Sequence, residues 1–131
     1  MAGWLARERQ TFFRVSGEIG SHLNVVLCDP RDFPTYRSQS VIVVDICSVR
    51  QTWHDTTTVV DVGDHPFLRH ASYVNYRQAR VDHAADLEKL VGARGYESSE
   101  PIDQELLVRI LRGAIESANT QRDIKSFIRN L

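Results

Sequence analysis

The segment Ser40–Cys47 constrains the fold of this chain more than any other. Five of its eight residues are valine or isoleucine, and Asp45 is the only charged one. Such β-branched side chains favour an extended backbone, and a nearly continuous apolar run is typical of a strand that is covered on both faces. The segment therefore predicts a central strand with other strands on either side of it.

Four further segments are typical of strands, because they combine β-branched or aromatic residues with glycine, proline and aspartate at their ends. They are Thr11–Val15, Leu23–Cys28, Thr56–Val62 and Ser72–Tyr76. These segments follow one another without a helix between them. This order favours an antiparallel, strongly bent sheet or a small barrel.

Beyond about residue 83 the apolar residues recur with helical spacing. Those between Ile102 and Ala118 follow the i, i+3, i+4 rule and form one apolar face. Ser98–Pro101 offers a hydroxyl cap and a proline suited to a first turn, which predicts where this helix begins. A second apolar set continues to Leu131, and the polar residues 119–121 between the two sets either bend the helix or interrupt it.

An apolar stripe that reaches Leu131 needs a surface to cover it, because chain termini fray unless they are docked. The sheet of the same chain and another chain are both candidates. We therefore predict one α+β domain over residues 1–131. It consists of a small antiparallel barrel over about residues 10–82 and a helical part over about residues 83–131.

The charge balance excludes a uniformly basic nucleic-acid binder. The chain has 16 basic and 17 acidic residues, for a net charge of -1, which leaves room for a local basic patch. Cys28 and Cys47 lie in apolar, strand-like segments, so we expect buried free thiols in a reducing cytosol. No secretory leader and no run of about 20 apolar residues are visible, so we expect a cytoplasmic protein that does not insert into a membrane.

The segment His65–Arg80 has the composition of a nucleic-acid contact. It contains three arginines, two histidines, two tyrosines and no carboxylate. Arginine binds phosphate, and aromatic rings stack on unpaired bases. We expect Arg69, His70, Tyr73 and Arg77 to contact RNA. The alternative is a turn whose histidines and arginines bond local carbonyl groups while the tyrosines pack at the edge of the barrel.

If the last predicted strand is extended, its side chains alternate between the two faces of the sheet. Tyr73, Asn75 and Arg77 then share one face, and Val74 and Tyr76 share the other. We expect Val74 to face the core and Tyr73 and Arg77 to be exposed.

Two histidines stand where a loop meets a strand. His22 comes just before one strand and His65 just after another, a kind of position that often serves binding and catalysis. Histidine is the usual proton-transfer residue near neutral pH, and structural caps are the open alternative. Asp45 interrupts an apolar strand, and a buried carboxylate needs a partner, for which an arginine is the simplest choice.

The sequence lacks the motifs of several enzyme classes. It contains no phosphate-binding glycine loop, dinucleotide fingerprint, nucleophile elbow or Cys-x-x-Cys motif. Nucleotide-driven and hydride-transfer enzymes are therefore poor candidates. Asp64, His65 and His70 lack the spacing of a zinc site, so we expect neither a metal nor another cofactor.

Four features follow one another along the chain: a Gly20–Cys28 segment, a strand that ends at Asp45–Ser48, a Ser72–Val74 strand and a C-terminal helix. Residues 63–67 are Gly-Asp-His-Pro-Phe. Over roughly residues 10–118 these features resemble the PemK/MazF-like toxin superfamily. The five-residue motif is similar to that of a divergent branch of small bacterial proteins within it.

The resemblance implies an SH3-like antiparallel barrel with C-terminal helices that forms a homodimer. Known members of the superfamily are metal-independent endoribonucleases that cleave single-stranded RNA and are neutralised by an antitoxin peptide. Their catalytic arginine has no counterpart here, because the matching stretch is Ser21-His22-Leu23. Ser48 occupies a place similar to that of the catalytic serine or threonine.

Cleavage of RNA requires a base for the 2′-hydroxyl, an acid for the leaving 5′-oxygen and a cation for the charge on phosphorus. His22 or His65 would exchange the protons, and Ser48 would position the phosphate. Arg69 or Arg77 would stabilise the developing charge.

Our leading hypothesis is an RNA-directed, toxin-like protein, with a metal-independent endoribonuclease as its active form. One alternative is a barrel that binds RNA or a protein partner without cleavage. The other is an interaction protein whose C-terminal helix docks on a partner.

Overall fold

The protein, described here from a computed structural model, combines six strands with three helices. The structure describes residues 3–15, 22–34, 36, 38–50, 53–93 and 95–131. The strands are β1 (Thr11–Arg14), β2 (Leu23–Val26), β3 (Ser40–Ser48), β4 (Val59–Val60), β5 (Ser72–His83) and β6 (Tyr96–Ser99). The helices are α1 (Ala84–Leu90), α2 (Gln104–Glu116) and α3 (Arg122–Arg129). The predicted α+β class is confirmed.

β3 lies inside an antiparallel sheet. It pairs with β2 on one side and with β5 on the other, and its residues Val41–Val44 are fully buried. The strand order is β4-β5-β3-β2-β1-β6, and the sheet curls into a half-barrel. The prediction of a central strand within a strongly bent antiparallel sheet is confirmed.

β5 is longer than the sequence predicted, because regular pairing breaks within it. Val43 pairs with Arg80, yet Asp45 pairs with Asn75, so two steps along β3 (43 to 45) correspond to five along β5 (75 to 80). Such a bulge bends a strand and increases its twist. The bulge also interrupts the alternation of side chains between the two faces of the sheet. The sequence prediction, which ended this strand at Tyr76, relied on that alternation.

The two edge strands differ from the prediction. β4 covers only Val59–Val60 of the predicted segment Thr56–Val62. β6 lies within the part that we expected to be helical, and it pairs with β1 along its length, with Thr11 facing Ser99. Its sequence, Tyr-Glu-Ser-Ser, has no apolar alternation. The sheet therefore includes a strand from beyond the expected boundary near residue 82, because pairing at an edge does not require a buried apolar face.

The N-cap of α2 is Asp103 rather than a serine. Its Oδ1 accepts a hydrogen bond from the backbone N–H of Leu106 at 2.7 Å, a contact that carboxylates favour at helix starts. Ser98 and Ser99 belong to β6 and pair with β1. Pro101 therefore precedes the helix instead of occupying its first turn.

The polar residues 119–121 interrupt the C-terminal helix instead of only bending it. The apolar side of α3 packs within the same chain, since Ile124 and Ile128 are buried and the Phe127 ring lies 4.9 Å from the Phe33 ring. The buried apolar side chains of the sheet, α2 and α3 form one core. Of the two surfaces considered for the apolar stripe, the same chain covers Ile124, Phe127 and Ile128, whereas Leu131 is 44% exposed.

Tyr76 connects β5 to α2 through a buried hydroxyl group. This hydroxyl donates a hydrogen bond to the carbonyl of Ile110 at 2.8 Å and lies 2.8 Å from Thr58 Oγ1. Gly113 faces the Tyr76 hydroxyl and Thr58 Oγ1, and a Cβ at position 113 would overlap both of these oxygen atoms. The close approach of α2 to the sheet therefore requires glycine at position 113.

Asp55 is a buried carboxylate that connects the loop before β4 to the end of α2. It accepts hydrogen bonds from the Ser117 hydroxyl at 2.6 Å, from the Asn119 amide at 3.0 Å and from the backbone N–H of Thr57 at 2.8 Å. Burial raises the pKa of Asp55, but the hydrogen bonds, led by that from Ser117, outweigh burial and the pKa is lowered overall. The folded state therefore prefers the ionised carboxylate.

Gly113→Ala tests the contact between α2 and the sheet. We expect it to lower the free energy of unfolding by about 2 kcal/mol, because the added methyl group overpacks the contact. In an exposed helix the same change would raise stability by about 1 kcal/mol. Urea unfolding followed by circular dichroism measures the difference. Gly3→Ala, whose Cβ would meet no atom within 4 Å, is the control, and an unchanged midpoint for Gly113→Ala would contradict the packing.

Asp55→Asn tests the buried carboxylate. Because the pKa of Asp55 is lower in the folded state, its contribution to stability is complete above the unfolded value of about 3.9 and is lost as pH falls through the folded value. We expect Asp55→Asn to be less stable than wild type at neutral pH, with a difference that shrinks below about pH 4. Urea unfolding at a series of pH values measures both, with the exposed Asp61→Asn as control. A difference independent of pH would be inconsistent with an ionised Asp55.

Candidate functional site

Two clefts meet at the end of β3 and share Ser48 and Arg50 in their walls. The larger has a volume of about 640 Å³ and the smaller about 210 Å³. The larger is also lined by Ile46, Val49, Pro66, Phe67, Leu68, Arg69, His70 and Ser72. The smaller is also lined by His22, Cys47, Trp53, Tyr73 and Asn75. Among the described residues, neither lining includes a carboxylate, so this surface, which we refer to as the double cleft, suits an anion.

The register of the sheet assembles the smaller cleft. Cys47 pairs with Tyr73, and Asp45 pairs with Asn75, so the side chains at these positions leave the sheet on one face. His22 precedes β2, and its Nδ1 lies 3.5 Å from the sulfur of Cys47. Residues from three separate parts of the sequence therefore meet in one small space.

The side chains of β5 alternate as the sequence predicted. Val74 and Tyr76 are fully buried, Tyr73 and Asn75 are partly exposed, and Arg77 is exposed. The predicted faces are therefore confirmed. The alternative interpretation of His65–Arg80 was a turn whose two tyrosines pack at the edge of the barrel. Tyr76 does pack in the interior, whereas Tyr73 lines a cleft.

Arg50 and Trp53 are site residues that the sequence analysis did not single out. Trp53 is 51% exposed, and the guanidinium carbon of Arg77 lies 4.1 Å from its ring centroid, a cation–π contact. The ring of His54 lies 5.4 Å from that of Tyr73. A tryptophan within a polar loop was the available signal, because an exposed aromatic ring often marks a contact surface.

The Gly-Asp-His-Pro-Phe motif builds the loop that carries Arg69 and His70 to the larger cleft. Gly63 has a φ of 106°, in the left-handed region that favours glycine. Asp64 Oδ2 accepts a hydrogen bond from the backbone N–H of Asp61 at 2.8 Å, which closes the turn at the start of the motif. In this structure the motif positions a loop and contributes to the cleft wall only through its last two residues.

His65 is 2% exposed and lines neither part of the double cleft. Its Nδ1 accepts a hydrogen bond from the backbone N–H of Phe67 at 3.0 Å, and its Nε2 donates one to the carbonyl of Glu100 at 2.5 Å. The imidazole therefore holds the loop against the segment before α2. The structure brings His22 and Ser48 to one cleft and leaves His65 outside it, so of the two histidines expected to exchange protons only His22 lines a cleft with Ser48.

A third cleft, of about 680 Å³, also contains His22 in its wall but has a different chemistry. Arg80 donates hydrogen bonds there to Asp45 at 3.0 Å, to Asn24 at 2.9 Å and to Asp82 at 2.9 Å. The predicted arginine partner of Asp45 is thereby confirmed. The carboxylates in its lining make the third cleft less suited to an anion than the double cleft.

His22 and Cys47 are neighbours that differ in their ability to exchange a proton at neutral pH. Burial, and then the charge of Asp45, raise the pKa of Cys47 to about 11, so this thiol stays protonated at neutral pH and is a poor nucleophile. Cys28 is likewise buried, and both cysteines are free, as predicted. The His22 side chain is 48% exposed, with Nδ1 3.8 Å from Asp45 Oδ2. Its imidazole is the group of the smaller cleft best suited to exchange a proton.

Comparison of the chain with protein-family models, with curated proteins and with solved structures found no match. Within the described parts of the chain, no group of three or more His, Cys, Asp or Glu side chains is placed to hold a metal ion. No helix among these residues is long and apolar enough to cross a membrane. The function of the double cleft therefore has to be argued from its own geometry.

Mutation of His65 should affect stability much more than mutation of His22. His65→Ala removes a buried ring and two hydrogen bonds, so we expect the free energy of unfolding to fall by about 2 kcal/mol. His22→Ala removes a half-exposed side chain and should change it by no more than about 0.5 kcal/mol. Urea unfolding followed by tryptophan fluorescence measures both. Equal stability of the two variants would argue against a structural role for His65.

Proposed function

We propose that the protein binds single-stranded RNA in the double cleft. The observation that carries the proposal is the charge of this surface: Arg50 and Arg69 line it, Arg77 stacks on Trp53 in its wall, and the described residues of its lining include no carboxylate. A groove of one charge attracts a polyanion and binds it by releasing counterions. Such a patch accounts for nucleic-acid binding by a chain with a net charge of only -1.

The aromatic side chains favour a single strand over a duplex. Trp53 is half exposed, and Tyr73 lines the smaller cleft. The bases of a single strand are free to stack on such rings, whereas a duplex keeps its bases inside. Arg77 holds a positive charge beside the face of Trp53, so one position offers both stacking and phosphate attraction.

Metal-independent cleavage of the bound RNA is the second candidate function, and it follows the endoribonucleases that the sequence resembles. The observation that favours it is that His22 and Ser48 line the same cleft. His22 would take the proton of a ribose 2′-hydroxyl, whose oxygen attacks phosphorus while the bond to the 5′-oxygen breaks, and that oxygen takes a proton from water. Ser48 would hold the phosphate, and Arg50 would neutralise the added charge.

The resemblance also supports proposals about the protein as a whole. We infer an SH3-like barrel that forms a homodimer in the cytoplasm and has a toxin-like role, with an antitoxin peptide or another protein as its partner. The curled antiparallel half-barrel supports the barrel, and the sequence resemblance supports the rest. If RNA is bound but not cleaved, the same surface serves as a binding module.

Fluorescence anisotropy with a labelled single-stranded oligoribonucleotide tests the binding. We expect Trp53→Ala to weaken it about tenfold, since stacking contributes about 1–3 kcal/mol per base. Arg69→Ala and Arg77→Ala should each reduce the slope of log K against log salt by about 0.7. Arg129→Ala, on α3 and outside the double cleft, is the control and should change neither quantity. A wild-type protein that binds no oligomer at low salt would refute the proposal.

Incubation with a long single-stranded RNA in EDTA separates cleavage from binding. If His22 is the base, wild type cuts the RNA, and His22→Ala is slower by at least about 100-fold while its affinity for RNA remains. His83→Ala is the control, because His83 lies outside the double cleft and contacts Ser38. Binding without cleavage by wild type would identify the protein as a binding module.

A further inference from the structure

Asn75 has a buried acceptor that no described residue uses. Its Oδ1 is shielded from solvent and accepts no hydrogen bond from the described part of the chain. A buried carbonyl oxygen without a partner is unfavourable, and folded proteins contain few of them. A ligand that donates a hydrogen bond here would supply the missing partner.

The surroundings of this oxygen suit one flat heterocycle. Asn75 lines the smaller cleft, whose volume of about 210 Å³ is less than that of a typical pocket for a drug-sized ligand. Trp53 and Tyr73 line the same cleft and offer aromatic surface for stacking. Proteins hold an unpaired base in this way, with its face on an aromatic ring and its edge hydrogen-bonded to polar side chains.

We infer that the smaller cleft holds one unpaired base of the RNA and that the Asn75 side chain turns its Oδ1 toward this base to select it, an inference that rests on the RNA binding proposed above. An acceptor favours a base with an N–H group at the centre of its Watson–Crick edge. Uracil and guanine have this group. Cytosine and adenine have at this point a ring nitrogen whose lone pair repels a carbonyl oxygen, and they donate only from the amino group at the side of the edge. An Oδ1 that faces the centre of the edge therefore prefers uracil or guanine.

Methylation of one ring nitrogen tests this selection on the wild-type protein. Oligouridylate and its N3-methyluridine analogue differ at the imino position, where a methyl group replaces the proton. We expect the protein to bind oligouridylate about tenfold more tightly than the analogue and about tenfold more tightly than oligocytidylate. Equal affinities for the three oligomers would overturn the subsite, while the proposed RNA binding would stand.

Three variants assign the selection to Asn75. Asn75→Ala should bind the three oligomers with equal affinity and keep the salt dependence of wild type. Asn75→Asp keeps an acceptor oxygen, so its preference for oligouridylate should remain although its added charge weakens all binding. Arg77→Ala should weaken binding to all three by the same factor. An Asn75→Ala protein that still prefers oligouridylate would overturn the inference, and the wild-type comparison decides it if a variant fails to fold.

Uridine monophosphate distinguishes failure of the subsite from failure of RNA binding. Its binding is followed by tryptophan fluorescence, with Trp53→Phe to identify the signal of Trp53. Quenching by uridine monophosphate but not by its N3-methyl analogue, with no oligomer bound, would support the base subsite and refute the RNA binding. Quenching by neither, with no oligomer bound, would overturn both.

Discussion

The pairing of β3 with β5 is the contact on which the rest of the structure depends. β3 is buried, so the backbone N–H and C=O groups along both of its edges need hydrogen-bond partners, which neighbouring strands supply. The bulge in this pairing lets one strand serve two surfaces, because Asn75 aligns with Asp45 while Arg80 aligns with Val43. The first half of β5 lines the smaller cleft, and the second half supplies Arg80 to the carboxylates of the third cleft. The double cleft, which suits an anion, is therefore separated from the carboxylates of the third cleft by the irregularity of a single strand, β5.

Residues of the same type have opposite roles in this protein because their surroundings differ. His22 is half exposed beside a cleft, whereas His65 is buried and bonded to the backbone through both ring nitrogens. Arg77 stacks on an exposed tryptophan, whereas Arg80 is bonded to two carboxylates and an amide. The local sequence does not distinguish the members of either pair, since Glu100, the second partner of His65, and Asp45 and Asn24, two partners of Arg80, lie at least 35 residues away along the chain.

Part of the candidate site follows from the sequence. The alternation along β5 and the need of Asp45 for an arginine depend on the period of a strand and on the cost of burying a charge, and both predictions are confirmed. Trp53 and Arg50 were missed because they follow the end of β3 in a loop without periodicity. The buried position of His65 was missed because its partner Glu100 is 35 residues away.

The sequence by itself determined the features that depend on neighbouring residues: the buried central strand, the weak point at residues 119–121 of the helical part and the two faces of Ser72–Tyr76. Local period and turn chemistry are sufficient for these. Only the tertiary structure decided that Tyr96–Ser99 completes the sheet against β1 and that His22, Ser48, Trp53 and Asn75 line one cleft. These depend on strand register and on contacts between distant segments, which no local pattern of side chains encodes.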